Sequence, residues 1–452
     1  MRGKGLKSVV FGGDVVALYL SLFLALGLRY GTDFLLSRYQ AHLLPLTVVF
    51  ALWLTVFYIT DLYNLSQPVN NRYFVYSMMA NLGLAVAFFY AFPGLEISPK
   101  TNLLLVAGLY SFFFYFWRLF LNKLLDTLGV ERPVVIVGAD DHALEMAEKL
   151  QESSRLGYTV RAILRDPDST SLVQRRFPDI EVLDGIEELT ALAERGEVHT
   201  VIISDRRFDS VYRELYSLLR YRLNFFQLTS FWEAFDETIP IYATRESWFL
   251  ENLNRGPNRS YQYLKRILDI VGVILIAVPA VVLGLLTAAF VKATSRGPAI
   301  YQQVRLGRNE REFTIYKFRS MVTDAEVNGA QWAGENDPRI TAVGRFIRKT
   351  RLDEIPQIYN VIRGDMSFVG PRPERPEFVT ELTRRVPHYH LRHLIRPGLT
   401  GWAQVRYRYG ASEEDAAQKL MYDLFYVKNV SLVLDIRIIL KTVLTILTKG
   451  GR

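Results

Sequence analysis

Four apolar stretches dominate the first 124 residues, running approximately over 8–28, 41–63, 74–92 and 101–121. Each is close to the roughly 20 residues with which an α-helix crosses the hydrocarbon core of a bilayer. Runs of this length packed so closely leave little room for a soluble fold, and they predict a four-helix transmembrane domain over 1–124. The first run follows Arg2, Lys4 and Lys7. It is too long for a signal-peptide core and lacks a small-residue cleavage site, so it reads as a retained anchor. Basic residues also stand near the end of the fourth run and after it, at Arg118, Lys123 and Arg132. An even number of spans with positive flanks places both ends inside.

The remainder is not membrane-like in the same way. Half of the 452 residues are hydrophobic, yet charge is strongly segregated along the chain. Residues 125–258 carry 15 Lys/Arg against 24 Asp/Glu, whereas 259–452 carry 30 against 18. A basic C-terminal region beside apolar segments points to anionic partners such as lipid headgroups or phosphorylated substrates. No nucleic-acid fold signature accompanies it. The absence of cysteine excludes disulfides, thiolate nucleophiles and Cys-type zinc sites.

From Arg132 short apolar strands alternate with polar helices. "PVVIVG" and "YTVRAILRD" read as strands, "DDHALEMAEKLQES" as a helix, and "VHTVIISD" as another strand before a helix near 210–221. This alternation predicts a parallel, doubly wound, Rossmann-like α/β domain over 125–258. A dinucleotide site after the first strand is not expected. "GADDHA" at 138–143 keeps one glycine of the fingerprint and puts Asp140 and Asp141 where a pyrophosphate would sit. A scaffolding or dimerising role suits the domain better, which leaves a homodimer open as one assembly.

A fifth apolar run covers 270–291, flanked by Lys265 and Arg266 before it and Lys292 and Arg296 after it. Neither flank favours export, and Pro279 near the midpoint removes a helical hydrogen bond and favours a sharp bend. The expectation is a re-entrant helix over about 266–292 that enters one leaflet and returns; the alternative is a proline-kinked span. The last 22 residues are apolar with Asp435, Arg437 and Lys441 on a minority face, which suits a helix on the membrane surface or packed on the preceding domain.

Within this C-terminal region "RLDEIPQ" sets Asp353 and Glu354 just before Pro356. The bland reading is an acidic cap on a helix that starts at Pro356 and ends at Gly364. The surroundings argue for more: Arg345, Arg348, Lys349 and Arg351 precede the pair, and Arg372 stands between Pro371 and Pro373. "IYKFRSM" adds Lys317 and Arg319 from a strand end. A carboxylate that attacks phosphorus needs cations to offset anion–anion repulsion, and guanidinium forks suit phosphate oxygens. Phosphoryl transfer depends on such positioning and charge. His388, His390 and His393 lie within six residues, but zinc would need a further ligand, and packing is the simpler reading. Trp332 and Trp402 could anchor at an interface or stack on a base, or simply pack.

These blocks resemble the bacterial sugar transferase family, the polyisoprenyl-phosphate hexose-1-phosphate transferases. The resemblance rests on "KRILDIVGVILIAVPA", "SRGPAIYQQVRLGR", "FTIYKFRSM", "VGRFIRKTRLDEIPQIYNVIRGDMSFVGPRPE" and "RHLIRPGLTGWAQV", in order over nearly 190 residues. The front half is similar to large-form members with four membrane helices and a Rossmann-like middle domain.

The resemblance implies transfer of a hexose-1-phosphate from a UDP-sugar to polyprenyl phosphate at the bacterial inner membrane, with the catalytic domain (259–452) facing the cytoplasm. It assigns Asp353 as the nucleophile and Glu354 as its partner acid, with Mg²⁺ on one of the two. Arg348, Arg372, Lys317 and Arg319 would hold phosphate, and Pro279 would be the break of the re-entrant helix. The ending "WAQVRYRYG", with Arg406 and Arg408, resembles an exopolysaccharide subgroup rather than the commoner "WAQVNGR". A ligand-sensing regulator and a scaffold of polysaccharide export are the competing readings.

Overall fold

The N-terminal apolar runs fold as helices α1 (Arg2–Tyr30), α2 (Leu35–Ile59), α3 (Asn71–Ala91) and α4 (Pro99–Leu128). The computed structural model describes residues 2–449 apart from 32–34, 61, 64–70, 92–98, 129–131, 153–156, 166–169, 205–212, 254–255, 257, 324, 326–336, 408–409 and 411. Trp332 and Arg408 therefore lie outside the described residues. The chain forms two compact units, one holding 1–135, 147–162 and 191–200 and the other the rest.

In the first unit Leu18, Leu22, Trp53, Phe57 and Tyr110 form the centre of an apolar core shared by the helices. Polar residues tie the helices together where lipid could not satisfy them. Arg118 of α4 meets Asp14 of α1 at 2.8 Å, both buried. Asn102 bridges Arg29, at 2.7 Å, and His42, at 3.0 Å. Among the described residues, 8–30, 38–59 and 102–121 here, and 259–294 in the other unit, are long and apolar enough to cross a membrane, while α3 offers the shorter stretch Ser77–Tyr90.

The middle region is a five-stranded sheet of β1 (Arg132–Val137), β2 (Tyr158–Leu164), β3 (Glu181–Leu183), β4 (Thr200–Ile203) and β5 (Asn224–Gln227), in the order β3-β2-β1-β4-β5. Helices α5 (Asp141–Glu152), α6 (Thr170–Arg176) and α7 (Ile186–Glu194) link the first four strands. The β1–β2 and β1–β4 hydrogen bonds advance in the same direction along both partners, so these pairs are parallel. The loop after β1 is closed by its own acid: Asp140 Oδ1 accepts from the backbone N–H of His142 and Ala143, at 3.1 and 3.0 Å. The Ser204 hydroxyl donates to the other carboxylate oxygen. The α5 N-terminus, where a pyrophosphate would bind, is occupied by an anionic side chain.

The second unit continues with α8 (Leu228–Asp236) and α9 (Glu246–Leu253), followed by the 36-residue α10 (Arg259–Thr294). The hairpin β6 (Ile300–Leu306) and β7 (Glu312–Phe318) comes next, paired from Ile300↔Phe318 to Leu306↔Glu312. Then follow α11 (Ala342–Lys349), α12 (Ile358–Arg363), β8 (Ser367–Val369), α13 (Pro376–Arg385), β9 (Gly398–Thr400), α14 (Trp402–Arg406), α15 (Glu413–Lys428) and α16 (Leu432–Lys449). Helix α10 meets this body at two places. Val273 belongs to a core with Ile315, Val361 and Met366, and Val291 to one with Phe318 and Ile347. Between them Ile274, Leu275, Val278, Val281 and Val282 are exposed. Arg266 fixes the first arm by donating to the carbonyls of Val361 and Ile362 at 2.5 and 2.6 Å.

The terminal helix α16 packs on the body, resolving the two placements left open by its sequence. Asp435 is buried and accepts from Tyr261 and Lys265 at 2.8 Å and from Tyr426 at 2.5 Å. Arg437 grips both Glu237 oxygens, at 2.8 and 3.1 Å. Trp402 is a packing residue, not a free stacking platform. It is fully buried, donates to Glu237 O at 3.1 Å, and has Arg437, Arg406 and Lys441 at 4.8, 5.0 and 5.2 Å from its ring. The three histidines diverge: His388 packs on Phe249 at 4.4 Å, His393 is buried beside Tyr389, and His390 is exposed.

Candidate active site

The acid pair sits in a 3₁₀ turn, Leu352–Gln357, that runs directly into α12. This departs from the expected cap ahead of a Pro356-started helix. Arg351, in the left-handed conformation at φ 59°, opens the turn, and Pro356 falls inside it. The tighter i→i+3 winding places Asp353 and Glu354 within the turn rather than before it. Gly364, at φ 90°, ends α12 as a left-handed cap.

Two contacts fix this turn. Buried Asn360 donates to Thr314 O at 2.7 Å and accepts from Tyr316 N at 3.3 Å, bolting α12 to β7. On the other side Ile355 lies against α10, where a Cβ on Gly284 would be 3.6 Å from it. The acids are thus held beside the second arm of the long apolar helix.

Glu354 is the electrostatic centre of the cluster. Its Oε1 lies 2.8 Å from Arg372 Nη2, 3.4 Å from Arg351 Nη1 and 3.8 Å from Lys317 Nζ. Burial resists its ionisation, but these three cations outweigh that and hold its pKa well below the usual carboxylate range. Glu354 in turn stabilises the charge on Arg372, raising its pKa. Lys317 is pushed down to about 8, chiefly by burial and then by Arg372.

Asp353 is treated differently by the same surroundings. It is buried, and its Oδ1 has no hydrogen-bond partner. Burial, reinforced by repulsion from Glu354, raises its pKa to about 6, against the opposing pull of Lys317, Arg348 and Arg372. One acid is locked as an anion by arginine and lysine. The other is desolvated, with one oxygen left unpartnered.

Of the predicted phosphate-binding residues, Lys317 and Arg372 join the pair directly. Arg348 faces it electrostatically, with its Nε on Ser320 Oγ at 2.9 Å. Arg319 does not join. Its Nη2 turns to Ser295, at 3.0 Å from the carbonyl and 2.8 Å from the hydroxyl, so β7 ends with neighbouring cations committed to different places. Arg345 and Lys349 are exposed.

Sequence reasoning overlooked Arg392. It is buried, donates to Arg372 O at 3.0 Å and pairs with Asp423 at 2.7 Å, while Arg305 donates to Pro373 O at 3.2 Å. Together they clamp the Pro-Arg-Pro loop from behind. Its place in "RHLIRPG" was the available signal.

A desolvated carboxylate beside a cationic cradle supplies the charge arrangement that phosphoryl transfer depends on. A family model for bacterial sugar transferases matches residues 260–449. A UDP-N-acetylgalactosamine-undecaprenyl-phosphate N-acetylgalactosaminephosphotransferase of Aeromonas hydrophila is 47% identical over 196 residues, covering 43% of this chain and 46% of that protein. An undecaprenyl-phosphate galactose phosphotransferase of Salmonella typhimurium is 32% identical over 361 residues, covering 74% and 72%. An exopolysaccharide production protein of Rhizobium leguminosarum is 42% identical over 199 residues, covering 41% of this chain and 96% of that protein. The chain belongs to the bacterial sugar transferase family.

Proposed function

We propose that this protein transfers a hexose-1-phosphate from a UDP-sugar to a polyprenyl phosphate, undecaprenyl phosphate in kind, and so initiates a surface polysaccharide. The observation that carries the reading is Asp353, buried with an unpartnered Oδ1 among Lys317, Arg348 and Arg372. In the first half-reaction an Asp353 oxygen bonds to the β-phosphorus, and the bond from that phosphorus to the bridging oxygen breaks. UMP leaves with that oxygen. In the second, an oxygen of the lipid phosphate bonds to the same phosphorus and the Asp353 carboxylate departs. Arg372 and Lys317 offset the charge of the transferring group, and Glu354 holds both in place.

The residues also fit Mg²⁺. Glu354 Oε1 is already taken by three cations, whereas Asp353 Oδ1 is buried without a partner. Among the described residues no group of three ligating side chains exists, and Mg²⁺ commonly binds one or two carboxylates plus substrate phosphates. When bound there it would neutralise diphosphate charge.

The long helix α10 is read as re-entrant, bent at Pro279. A straight helix would separate Val273 from Val291 by about 27 Å. Their core partners Ile315 and Phe318 are three residues apart on one strand, about 10 Å. The exposed apolar residues between the arms favour burial in lipid. This arrangement keeps the catalytic region on the cytoplasmic face, where the nucleotide sugar is found. The β3-β2-β1-β4-β5 order supports a Rossmann-like middle domain, and the Asp140 cap favours a scaffold over a dinucleotide sensor.

The deciding assay uses purified chain, Mg²⁺, polyprenyl phosphate and a panel of UDP-sugars, with UMP release as the readout. Wild type should release UMP and Asp353→Asn should not; equal release from both sinks the nucleophile assignment. A reporter fused at Arg452 should be found on the cytoplasmic side.

A further inference from the structure

A second group of cations lies away from Asp353, where the first turns of α10 meet the β6–β7 turn and the segment leading into β9. A pocket opens there whose polar side is Gln262, Lys265, Arg308, Ser367 and Arg396 and whose remaining lining is apolar or aromatic, from Tyr261 to Val430. The positive charges around it are incompletely answered. Lys265 pairs with Asp435, but Arg266 is spent on two neutral carbonyls and Arg308 on the Gln262 amide at 3.3 Å. Arg396, half-buried, makes no side-chain hydrogen bond or ion pair among the described residues. One carboxylate, Asp269, faces these cations: its Oδ1 accepts from Ser367 Oγ at 2.9 Å and Phe368 N at 3.1 Å, its Oδ2 has no hydrogen-bond partner, and its single charge stands against Lys265, Arg266 and Arg396.

The pocket is built on rigid backbone. Pro397 O accepts from Ser367 N and Gly398 N donates to Pro371 O, both at 2.9 Å, so Arg396 stands just ahead of the fixed parallel pairing of β8 and β9. Burial, with Arg266 and Arg308 as like-charged neighbours, lowers the Arg396 pKa, and the opposing pull of Asp269 does not offset them. The site is separate from the transfer centre. Lys317 pairs with Tyr301 near one end of the hairpin, five residues and about 17 Å of strand from the Leu306↔Glu312 pair that precedes the Arg308 turn.

We propose that this pocket binds a phosphate group, independently of the Asp353 site, using Arg396 and Arg308 as its forked donors. Phosphate is the anion indicated because the pocket sits one to two turns ahead of the apolar run beginning at Ile270, the level at which lipid phosphates lie. Guanidinium groups match its oxygens bidentately. Occupancy by a lipid headgroup would pin the first arm of α10 at the interface; a soluble phosphate would fill the same chemistry from the aqueous side.

The test is residue-resolved and does not need activity. Full-length chain in dodecyl maltoside micelles, which contain no phosphate, is treated with phenylglyoxal, and modification of each arginine is followed by peptide mass spectrometry. Parallel samples contain inorganic phosphate or phosphatidylglycerol. Exposed Arg384 on α13 is the internal reference. Modification of Arg396 and Arg308 should slow by about tenfold relative to Arg384 at a probe concentration roughly ten times its Kd. Protection by phosphatidylglycerol alone identifies a lipid headgroup; protection by inorganic phosphate as well identifies a general phosphate site. Rates for both arginines that follow Arg384 in every sample overturn the proposal.

Discussion

Asp353→Asn should make the protein more stable while abolishing transfer. In the fold the Asp353 pKa is raised from 3.8 to about 6, first by burial and then by Glu354. An acid whose folded pKa exceeds its unfolded value binds its proton more tightly in the native state. Its ionisation therefore costs the fold stability, increasingly as pH rises from 3.8 and fully above about 6. The rise corresponds to about 3 kcal/mol at pH 8 and about half of that at pH 5. Asparagine keeps the shape and removes the charge. At roughly 2–4 °C per kcal/mol for a domain of this size, the variant should melt roughly 6–12 °C higher at pH 8, with the gain about halved at pH 5. Thermal unfolding of detergent-solubilised full-length chain, followed by tryptophan fluorescence at both pH values, reads this directly. A variant that melts lower than wild type at pH 8, or whose gain does not change with pH, would refute the view of Asp353 as a destabilised, desolvated charge.

Glu354→Gln removes the like charge beside Asp353 and releases three cations toward it, so the acid limb of kcat/KM for UMP release should move about one pH unit lower. An unmoved limb would mean the two acids do not interact. The same variant should lose roughly 10–100-fold in rate at its optimum, because Arg372 is no longer held by a charged partner. Asn360→Ala strips two hydrogen bonds from a fully buried site and leaves backbone groups of β7 unpaired; a loss of about 2–4 kcal/mol is expected, checked by denaturant unfolding of the same preparation. Arg392→Gln should weaken kcat/KM by about tenfold, with Arg392→Lys partly restoring it, if the carbonyl of Arg372 needs its clamp.

Much of this architecture was readable from pattern. Length and hydropathy alone marked the helices, because a bilayer demands about 20 apolar residues whatever surrounds them. The β–α alternation marked the middle sheet for a similar reason: parallel strands buried on both faces must be continuously apolar. The site was legible only in part. Lys317 and Arg319 are separated by one residue and look equivalent in "KFR", yet one faces Glu354 and the other Ser295. Alternation along an extended strand sends side chains i and i+2 the same way, but Arg319 lies beyond the last residue of β7, where that rule stops applying. Trp402 and the charges of α16 posed the opposite problem. Their partners Glu237, Tyr261 and Lys265 are distant in sequence, so an apolar helix with a few charges gave no sign of what would neutralise them.

Under the proposed re-entrant reading, the two arms of α10, seated on residues of one strand, would act as a depth gauge. From Ile270 to Pro279 the first arm measures about 14 Å, close to half of a roughly 30 Å hydrocarbon core. The second arm carries Gly284 against Ile355, the residue next to Glu354. Under the re-entrant reading, the height of the carboxylate pair above the lipid phosphates is therefore written into the number of residues before the proline. Adding one helical turn to both arms would lift the site by about 5 Å with every side chain of the cradle intact. A chemically complete centre would then be stranded out of reach of its lipid.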